Sequence, residues 1–464
     1  MTVDGKAALT ALKRFGLGPR FGEVARIASD PRGFVLSQLD LREAVAIGER
    51  LPATAEAWRL QKEFLAGRKR AVEAAAKGGQ GDDESASQPA MTMQSQEPPR
   101  TYATEVLARV RHALTTEAPY LERLVGFWTD HFCVSAKKNG VMRSIAGAYE
   151  REAIRPHVLG RFRDMLQAVV HHPAMLFYLD NHRSYGPNSP RGRRRGEGLN
   201  ENLAREVLEL HTLGVDGGYT QQDVTDFARA LTGWSVHGPK SAEVGQFVFL
   251  DQAHEPGGIT ILGRAYDQSG MAQAEAVLDD LASHPATARH IARKLAVHFV
   301  ADDAPQALVE RLAQTFRESD GDLKAVAAAL ASSEEAWAGE PVKLLPPCDL
   351  MIAVYRAIRL DPEEGFVLRT LRTFGQPLWA VESPAGWPEG DDAWAAPDAM
   401  LERVDWASRV AGMAVASVDG NVSEAARSLL GEALSEPTRD AIERAESRQQ
   451  ALVLLFLSLE FQRR

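Results

Sequence analysis

Apolar residues recur at helical spacing through most of the chain. Between positions 102 and 132, side chains such as Leu107, Val110 and Leu114 are three or four residues apart, as on one face of an α-helix. The stretch from 146 to 180 repeats this pattern, so both segments predict core helices. Positions 36–75 also predict helix, with a break near a proline.

Two polar segments interrupt the helical pattern. Residues 77–100 are small and polar and contain prolines, so they offer little to bury and predict a flexible insertion. Residues 181–199 are rich in Pro, Gly, Ser and Arg, which predicts a second exposed, mobile loop. The chain therefore divides into N-terminal helices at 1–76, the flexible insertion, and a main helical body at 101–464 that carries the second loop.

Strand character is confined to residues 237–265. The runs at 246–250 and 259–262 are rich in β-branched and aromatic residues, which predicts a short hairpin. Helical patterning resumes at Met271. The predicted fold class is all-α: a multi-helix single body with a small β-hairpin excursion and two mobile loop insertions.

The most strongly patterned segment is a pair of helices near the middle of the chain. Asn200 predicts the N-cap of a helix over 201–211. Thr220, with Asp223 three residues on, resembles a capping box that begins a second helix over 221–232. A period of 3.6 residues places charged side chains on one face of the first helix and apolar ones on the other. The charged set is Glu201, Asn202, Arg205, Glu206 and Glu209, and the apolar set is Leu203, Val207 and Leu210.

The charged face has two interpretations. Such faces are most often solvated, with Arg205 in i,i+4 pairs to Glu201 and Glu209. The functional alternative places Arg205, Glu206 and Glu209 at the edge of a cleft, for metal binding or acid–base catalysis. His211 projects toward the apolar side and predicts a buried core histidine.

Two further histidines extend the functional hypothesis. His131 lies in an apolar segment, which is more typical of a buried core histidine than of a ligand. His254 follows a strand in a polar loop, where exposure favours a ligand or acid–base role. His131, Glu206, Glu209 and His254 together are candidate catalytic residues with a divalent metal as candidate cofactor, although no His-Glu-x-x-His spacing supports that metal.

Other residues are candidates for ligand contact. Arg193, Arg194 and Arg195 form a basic run that is either a solvated loop or a clamp for sulfate, phosphate or uronate groups above the Glu201 helix. Trp387 lies among prolines and glycines, which is typical of a packing plug and compatible with a carbohydrate-stacking platform.

Composition narrows the function classes. The 464 residues are 45% apolar and 25% charged with a net charge of −10, as in average globular proteins, and offer nucleic acid no general attraction. The two cysteines are too isolated for a zinc or redox motif. The chain shows no membrane-span pattern and no signal peptide, which predicts a cytoplasmic location by default.

Specific segments resemble one known family. The run Asn200–Thr220 and the run Ala228–Trp234 closely resemble the signature of the bacterial family catalogued as domain of unknown function 1800. Further matching segments are Arg14-Phe-Gly-Leu-Gly-Pro19, Phe127-Trp-Thr-Asp-His-Phe132, His172–Asp180, His284–Arg289 with Lys294-Leu295, Gly375-Gln-Pro377, Gly386-Trp-Pro388 and Glu460–Arg463. The resemblance covers nearly the whole chain.

The resemblance implies a mostly helical bacterial protein without a settled activity. Members are frequently encoded beside a second family that is similar to sulfatases and usually carries a twin-arginine export signal. This implies a binding or accessory protein that acts with a sulfatase/phosphatase-like partner in an envelope-related task, in contrast to the cytoplasmic default. The alternative is a hydrolase or lyase that uses the Glu-rich cleft. His254-Glu255 stands where the resemblance implies His-Asp.

Overall fold

Helices make up most of the structure, a computed structural model that describes residues 4–78, 101–196, 198–238, 240–415, 418 and 420–464. The predicted insertion at 77–100 falls outside the described residues from position 79 onward, and the predicted division of the chain at this insertion stays a prediction. The all-α fold class is confirmed, with β-structure restricted to short strands among the described residues.

The helices follow one another with short connections. In the first half they are α1 (Gly5–Lys13), α2 (Glu23–Ile27), α3 (Pro31–Ser37), α4 (Thr54–Gly78), α5 (Thr101–Thr115), α6 (Pro119–His131), α7 (Gly140–Tyr149), α8 (Phe162–His171), α9 (Pro173–Tyr178), α10 (Pro190–Arg195), α11 (Asn202–Glu206) and α12 (Gln221–Ala230). In the second half they are α13 (Met271–Ser283), α14 (Pro285–Phe299), α15 (Gln306–Glu318), α16 (Leu323–Ser332), α17 (Pro347–Ile358), α18 (Glu364–Thr373), α19 (Pro397–Ala414), α20 (Val422–Leu430), α21 (Glu436–Glu443), α22 (Arg448–Leu457) and α23 (Leu459–Gln462).

Four short strands form two antiparallel hairpins. Strand β1 (Trp234–Val236) pairs with β2 (Phe247–Phe249), and β3 (Ile259–Ile261) pairs with β4 (Arg264–Tyr266). Both predicted strand segments therefore exist, but they do not pair with each other. The turn between β3 and β4 has positive φ at Leu262 and Gly263, the geometry of a two-residue hairpin turn. Leucine rarely adopts a positive φ, so the sequence did not indicate a turn at this position.

The buried apolar side chains form one continuous core that includes residues from Ala8 to Phe461. The N-terminal segment contributes to it, since Phe15, just after α1, packs edge-on against Tyr120 of α6 at 5.5 Å between ring centroids. The core therefore joins the N-terminal helices to the rest of the chain. Within the described ranges, no helix is long and apolar enough to cross a membrane, as predicted.

The central helix pair differs in register from the prediction. Glu201 rather than Asn200 is the N-cap of α11, although Asn200 Oδ1 accepts a hydrogen bond from Asn202 N at 2.9 Å. The helix widens into a π-helix at Val207–Thr212, closed by a hydrogen bond from Thr212 Oγ1 to Val207 O at 2.6 Å.

The wider turn changes which side chains enter the core. Leu208 is buried whereas Leu210, which the 3.6-residue period assigned to the apolar face, is half-exposed. His211 is buried, as predicted. The predicted capping box of Thr220 and Asp223 is present at the start of α12.

The predicted loop at 181–199 is more ordered than its composition indicated. It contains the 3₁₀-helix Asn181–Arg183 and helix α10, which Ser189 caps through a hydrogen bond from Gly192 N. Ser184, Tyr185 and Ser189 are buried, so the expectation of exposure is wrong for this part of the segment. Polar side chains form hydrogen bonds in this segment; for example, Asn188 Nδ2 donates to Glu255 Oε1 at 2.6 Å.

Candidate active site

One face of α6 lines an internal cavity of about 120 Å³. Proline at the first position starts the helix, and positions 123, 126 and 130 then fall on one side of it because they are three to four or seven residues apart. Arg123, Gly126 and Asp130 line the cavity from this side. His131 is turned about 100° further around the helix axis, away from this face.

Segments distant in sequence form the other walls. The start of α17 contributes Cys348 and Asp349, the end of α14 contributes His298, and the segment 376–389 covers the opposite side. The lining residues of that segment are Gln376, Leu378, Trp379, Val381, Trp387, Pro388 and Glu389. The cavity therefore combines four carboxylates, two guanidinium groups and an imidazole with an otherwise apolar wall.

Asp130 is the least compensated of the carboxylates. Its Oδ1 accepts a hydrogen bond from Trp387 N at 2.8 Å, and no cation lies within 4 Å of it in the part of the chain that the structure describes. Burial raises the pKa of Asp130 to about 7. The hydrogen bond from Trp387 N and the positive charge of Lys294 lower this pKa, and the negative charge of Glu389 raises it. Asp130 can thus hold or release a proton near neutral pH.

Glycine allows the loop to approach Asp130. Gly386 has a φ of +85°, and a Cβ at this position would lie 2.7 Å from Asp130 Oδ2. A larger residue would therefore displace the loop that supplies the Trp387 N–H.

His298 and Glu389 form a paired base. His298 Nδ1 lies 2.7 Å from Glu389 Oε1, and Lys343 Nζ lies 3.9 Å from the second carboxylate oxygen. Burial alone raises the pKa of Glu389, but the hydrogen bond and charge of His298 outweigh it, so the pKa falls to about 2. The ionised Glu389 holds the imidazole by Nδ1, and among the described residues Nε2 of His298 has no hydrogen-bond partner.

Arg123 adds hydrogen-bond donors to the cavity wall. Its side chain is buried, with Nη1 bonded to Gly16 O at 3.2 Å and to Asp349 Oδ2 at 3.3 Å. Its Nε and Nη2 have no hydrogen-bond partner, and the guanidinium lies 5.6 Å from the centroid of the Phe299 ring. Unpaired buried donors are costly, so an acceptor oxygen in the cavity would stabilise this arrangement.

A network of buried ion pairs includes part of the cavity wall. Arg155 bonds to Glu122 and Glu150 through Nη2, at 2.7 Å each, and Arg109 Nε bonds to Glu150 Oε2 at 2.9 Å. Trp379 Nε1 donates to the same Glu150 oxygen at 2.9 Å. Arg155 follows the π-helix Glu150–Ile154 directly, so this network fixes α6 to the segment after α7.

Both cysteines line the cavity as protonated thiols. Cys133 Sγ donates to Pro384 O at 3.2 Å, and burial raises the pKa of this thiol well above its ordinary value. Burial raises the pKa of Cys348 to about 12. Because the thiolate is the reactive form, neither cysteine is an activated nucleophile.

The predicted charged face of α11 does not line this cavity. Arg205 Nη2 pairs with Glu201 Oε2 at 3.0 Å as predicted, and also bonds to Gln221 Oε1 at 3.1 Å. Glu209 instead accepts a hydrogen bond from Tyr219 at 3.2 Å. Among the described residues, Arg205 and Glu209 form no ion pair within 4 Å, because the π-helix changes the spacing after residue 206.

Glu206 is half-buried on the same face. Burial and the negative charge of Glu209 raise its pKa, and Arg205 lowers it. Its negative charge also contributes to the raised pKa values of Cys133 and Tyr178.

The two predicted histidines do not join that face. His131 is buried, its Nε2 lies 3.1 Å from His211 O, and burial lowers its pKa well below the ordinary value. His254 Nδ1 lies 3.1 Å from Thr232 O, and its ring packs on Phe249. Nowhere in the described ranges are three His, Cys, Asp or Glu side chains placed to hold a metal ion. The proposed metal quartet is therefore not assembled, and the acid–base roles of its members stay predictions.

The residues predicted to contact a ligand do not lie together either. Arg193 and Arg194 are exposed on α10, where Arg194 Nη2 bonds to Gln252 Oε1 at 3.4 Å. Arg195 ends α10, and its side chain lies outside the described part of the structure. Trp387 lines the cavity beside α6, and its backbone N–H donates a hydrogen bond to Asp130.

Sequence reasoning selected His131 and missed Asp130 beside it. A usable signal was present, because several segments that carry the family resemblance meet at the cavity. Leu17, Asp130, Gln376 and Trp387 belong to four such segments and all line it. Scattered short motifs with no local explanation thus indicated one shared site.

The comparisons with known proteins agree with the sequence resemblance. Residues 10–463 match the model of the family described as "Protein of unknown function (DUF1800)". The chain belongs to this family. No curated protein and no solved structure matches it.

Proposed function

We propose that this DUF1800 protein is an acid–base hydrolase or lyase whose reaction takes place in the cavity beside α6. The observation that carries the proposal is Asp130, a carboxyl whose pKa burial raises to about 7. It shares the cavity with a histidine that Glu389 holds through Nδ1. Two carboxyl groups with pKa values pushed far apart are the usual arrangement for acid–base catalysis.

Each residue has a role that follows from its contacts. Glu389 stays ionised and orients His298, and in the neutral form of this imidazole Nε2 accepts a proton from water or from substrate. Asp130 in its protonated form donates a proton to the leaving group. Arg123 binds a carbonyl or anionic oxygen through its unpaired N–H groups, where negative charge develops.

Cavity size restricts the reacting part of the substrate. A volume of about 120 Å³ equals the liquid volume of roughly four water molecules. A small polar group fits this space, either as a small substrate or as the end of a larger one.

The test is a screen for hydrolase and lyase activity with paired variants. Wild-type protein is assayed on esters, amides, glycosides and sulfate esters, next to Asp130→Asn and Asp405→Asn. Asp405 is exposed on α19 and serves as the matched control. An activity of this site drops at least a hundredfold in Asp130→Asn and is unchanged in Asp405→Asn. An activity that survives Asp130→Asn contradicts the proposal.

The Glu-rich face is a second candidate locus for the same chemistry. Its support is Glu206, whose pKa burial raises next to Glu209. The same screen on Glu206→Gln and Glu209→Gln distinguishes the two loci, because an activity of the Glu-rich face falls in these variants and is retained in Asp130→Asn.

A binding or accessory role with a sulfatase-like partner in the envelope is also proposed. Its support is an apolar stripe on α19, where Leu401 and Val404 are 66% and 41% exposed and lie on one helix face. Native co-purification with the product of the neighbouring gene tests it, and Leu401→Glu is expected to abolish the association. Val72→Glu, at a 62% exposed position on α4, is the control for the co-purification. Cell fractionation tests the proposed location in the envelope.

A further inference from the structure

A second cavity of about 400 Å³ lies where α1 meets the segment after residue 459. None of its lining residues belongs to the Asp130 cavity. Lys13 and Arg14 line it from the end of α1, and Leu9, Pro341 and Leu459 contribute apolar surface. Its volume lies in the range of small-molecule sites.

Lys13 is a buried amine without a carboxylate partner. Its side chain is 3% exposed, and its Nζ donates to the backbone carbonyl of Glu460. The carboxylate of Glu460 is engaged by Ser435 N at 3.1 Å and by Thr438 Oγ1 at 3.0 Å. In the described part of the chain, no carboxylate oxygen lies within 4 Å of the Lys13 amine.

Arg14 is also buried without a carboxylate. It is 2% exposed, and its Nη1 donates to the carbonyls of Ala336 at 2.7 Å and Ala338 at 3.4 Å. Its Nε is buried and has no hydrogen-bond partner. Burial lowers the pKa of Lys13 to about 7 while the charge of Glu460 raises it, and the hydrogen bonds of both Lys13 and Arg14 go to neutral carbonyls, which offset little of the cost of burying charge.

We infer that this cavity binds an organic carboxylate with a short aliphatic chain, its carboxylate on Lys13 and Arg14 and its chain along Leu9 and Leu459. An anion places negative charge next to both side chains and can accept the unpaired Nε–H of Arg14. The cavity wall also contains the charged residues Lys6, Glu340 and Glu432, and its apolar part at Leu9, Pro341 and Leu459 can cover an aliphatic chain, which an inorganic anion lacks. The inference is independent of the proposed reaction at Asp130.

Calorimetric titration of the full chain tests this inference with three probes. Octanoate has both features of the ligand, octanol has only the chain, and inorganic phosphate has only the charge. We expect one octanoate site and at least tenfold weaker binding of the other two probes. Octanol within threefold of octanoate, phosphate equal to octanoate, or no octanoate binding at roughly 1 mM would overturn the inference.

Two exposed apolar residues provide a pair of variants, one in the cavity and one outside it. Leu459 lines the cavity and is 65% exposed, whereas Val72 on α4 is 62% exposed and does not line it. Leu459→Glu places a carboxylate in the cavity wall and is expected to weaken octanoate binding at least tenfold, with Val72→Glu unchanged. Lys13→Met is expected to have the larger effect. Equal affinities in wild type and Leu459→Glu contradict the inference.

Discussion

The charged face of α11 and the cavity face of α6 both present carboxylates on a helix, but in different surroundings. Glu201 pairs with Arg205 at a half-exposed position and also accepts hydrogen bonds from Gln221 and Thr225. Asp130 on α6 has a single hydrogen bond from a backbone N–H and no cation within 4 Å in the described structure. Local charge density is therefore a poor guide to chemistry, because desolvation sets the proton affinity of a carboxyl group.

The two regions also differ in what their ion pairs support. The Arg205–Glu201 pair on α11 is partly exposed to solvent and therefore contributes little to stability. The network behind α6 is enclosed, with Glu150 fully buried among Arg109, Arg155 and Trp379. Substitutions in the two regions should consequently differ in their cost, and the following predictions test this difference.

Arg155→Met is expected to have the largest effect. It leaves Glu122 and Glu150 buried without their shared guanidinium, which costs about 3–5 kcal/mol of the free energy of unfolding. Urea denaturation at pH 7 measures this loss. Arg161→Met removes an exposed pair with Asp320 and should cost under about 1 kcal/mol. Similar losses in the two variants would mean that enclosure of the network has no energetic consequence.

Asp130→Asn is expected to change how stability depends on pH. The folded pKa of about 7 lies above the unfolded value of about 3.9, so folded wild type retains a proton that the unfolded chain has lost. The contribution of Asp130 to stability therefore falls as the pH rises from about 4 through 7. The asparagine variant lacks this loss, and relative to wild type it should gain on the order of 2–4 kcal/mol over that window.

Urea denaturation at pH 5 and pH 8 checks the Asp130 prediction. Asp405→Asn on the exposed face of α19 should follow the pH dependence of wild type. If Asp130→Asn does so as well, Asp130 is as well solvated as a surface carboxylate and the contrast between the two helices fails.

Arg205→Ala is expected to have a small effect, about 0.2–1 kcal/mol, because its partner Glu201 stays hydrated and keeps other donors. High salt should reduce the difference from wild type further. Denaturation with and without added salt measures it. A cost of several kcal/mol would show that the α11 face is energetically equivalent to the buried network.

Glu209→Gln is expected to have the smallest effect. The negative charge of Glu209 raises the pKa of Glu206, so its removal should lower that pKa while burial still holds it above the ordinary value. An NMR titration of the Glu206 side chain follows the change. An unchanged pKa would assign the whole shift to burial.

Sequence patterns predicted the secondary structure better than the site. The capping box of Thr220 and Asp223 was predictable because capping depends on side chains three residues apart. The π-helix at Val207–Thr212 was not, because a fixed period of 3.6 residues cannot show where a helix widens. Leu210, predicted on the apolar face, is consequently half-exposed, and Leu208 is buried instead.

The candidate site shows a sharper limit. His131 attracted notice because histidine suggests chemistry, yet the helix turns it into the core beside His211. Asp130, one residue earlier, faces the cavity. Its partners Trp387 and Glu389 are more than 250 positions away in the chain, so no local pattern could reveal them.

Periodicity and neighbouring residues were enough to predict the helical class, the strand segments, the capping box of Thr220 and Asp223, and the family. Which carboxyl groups are removed from water depends instead on segments that are far apart in the chain and meet only in the fold. Burial by such segments raises the pKa of Asp130 to about 7, and it places Lys13 against a backbone carbonyl, with no carboxylate oxygen within 4 Å among the described residues. Proton affinity and charge balance are therefore properties of the folded chain.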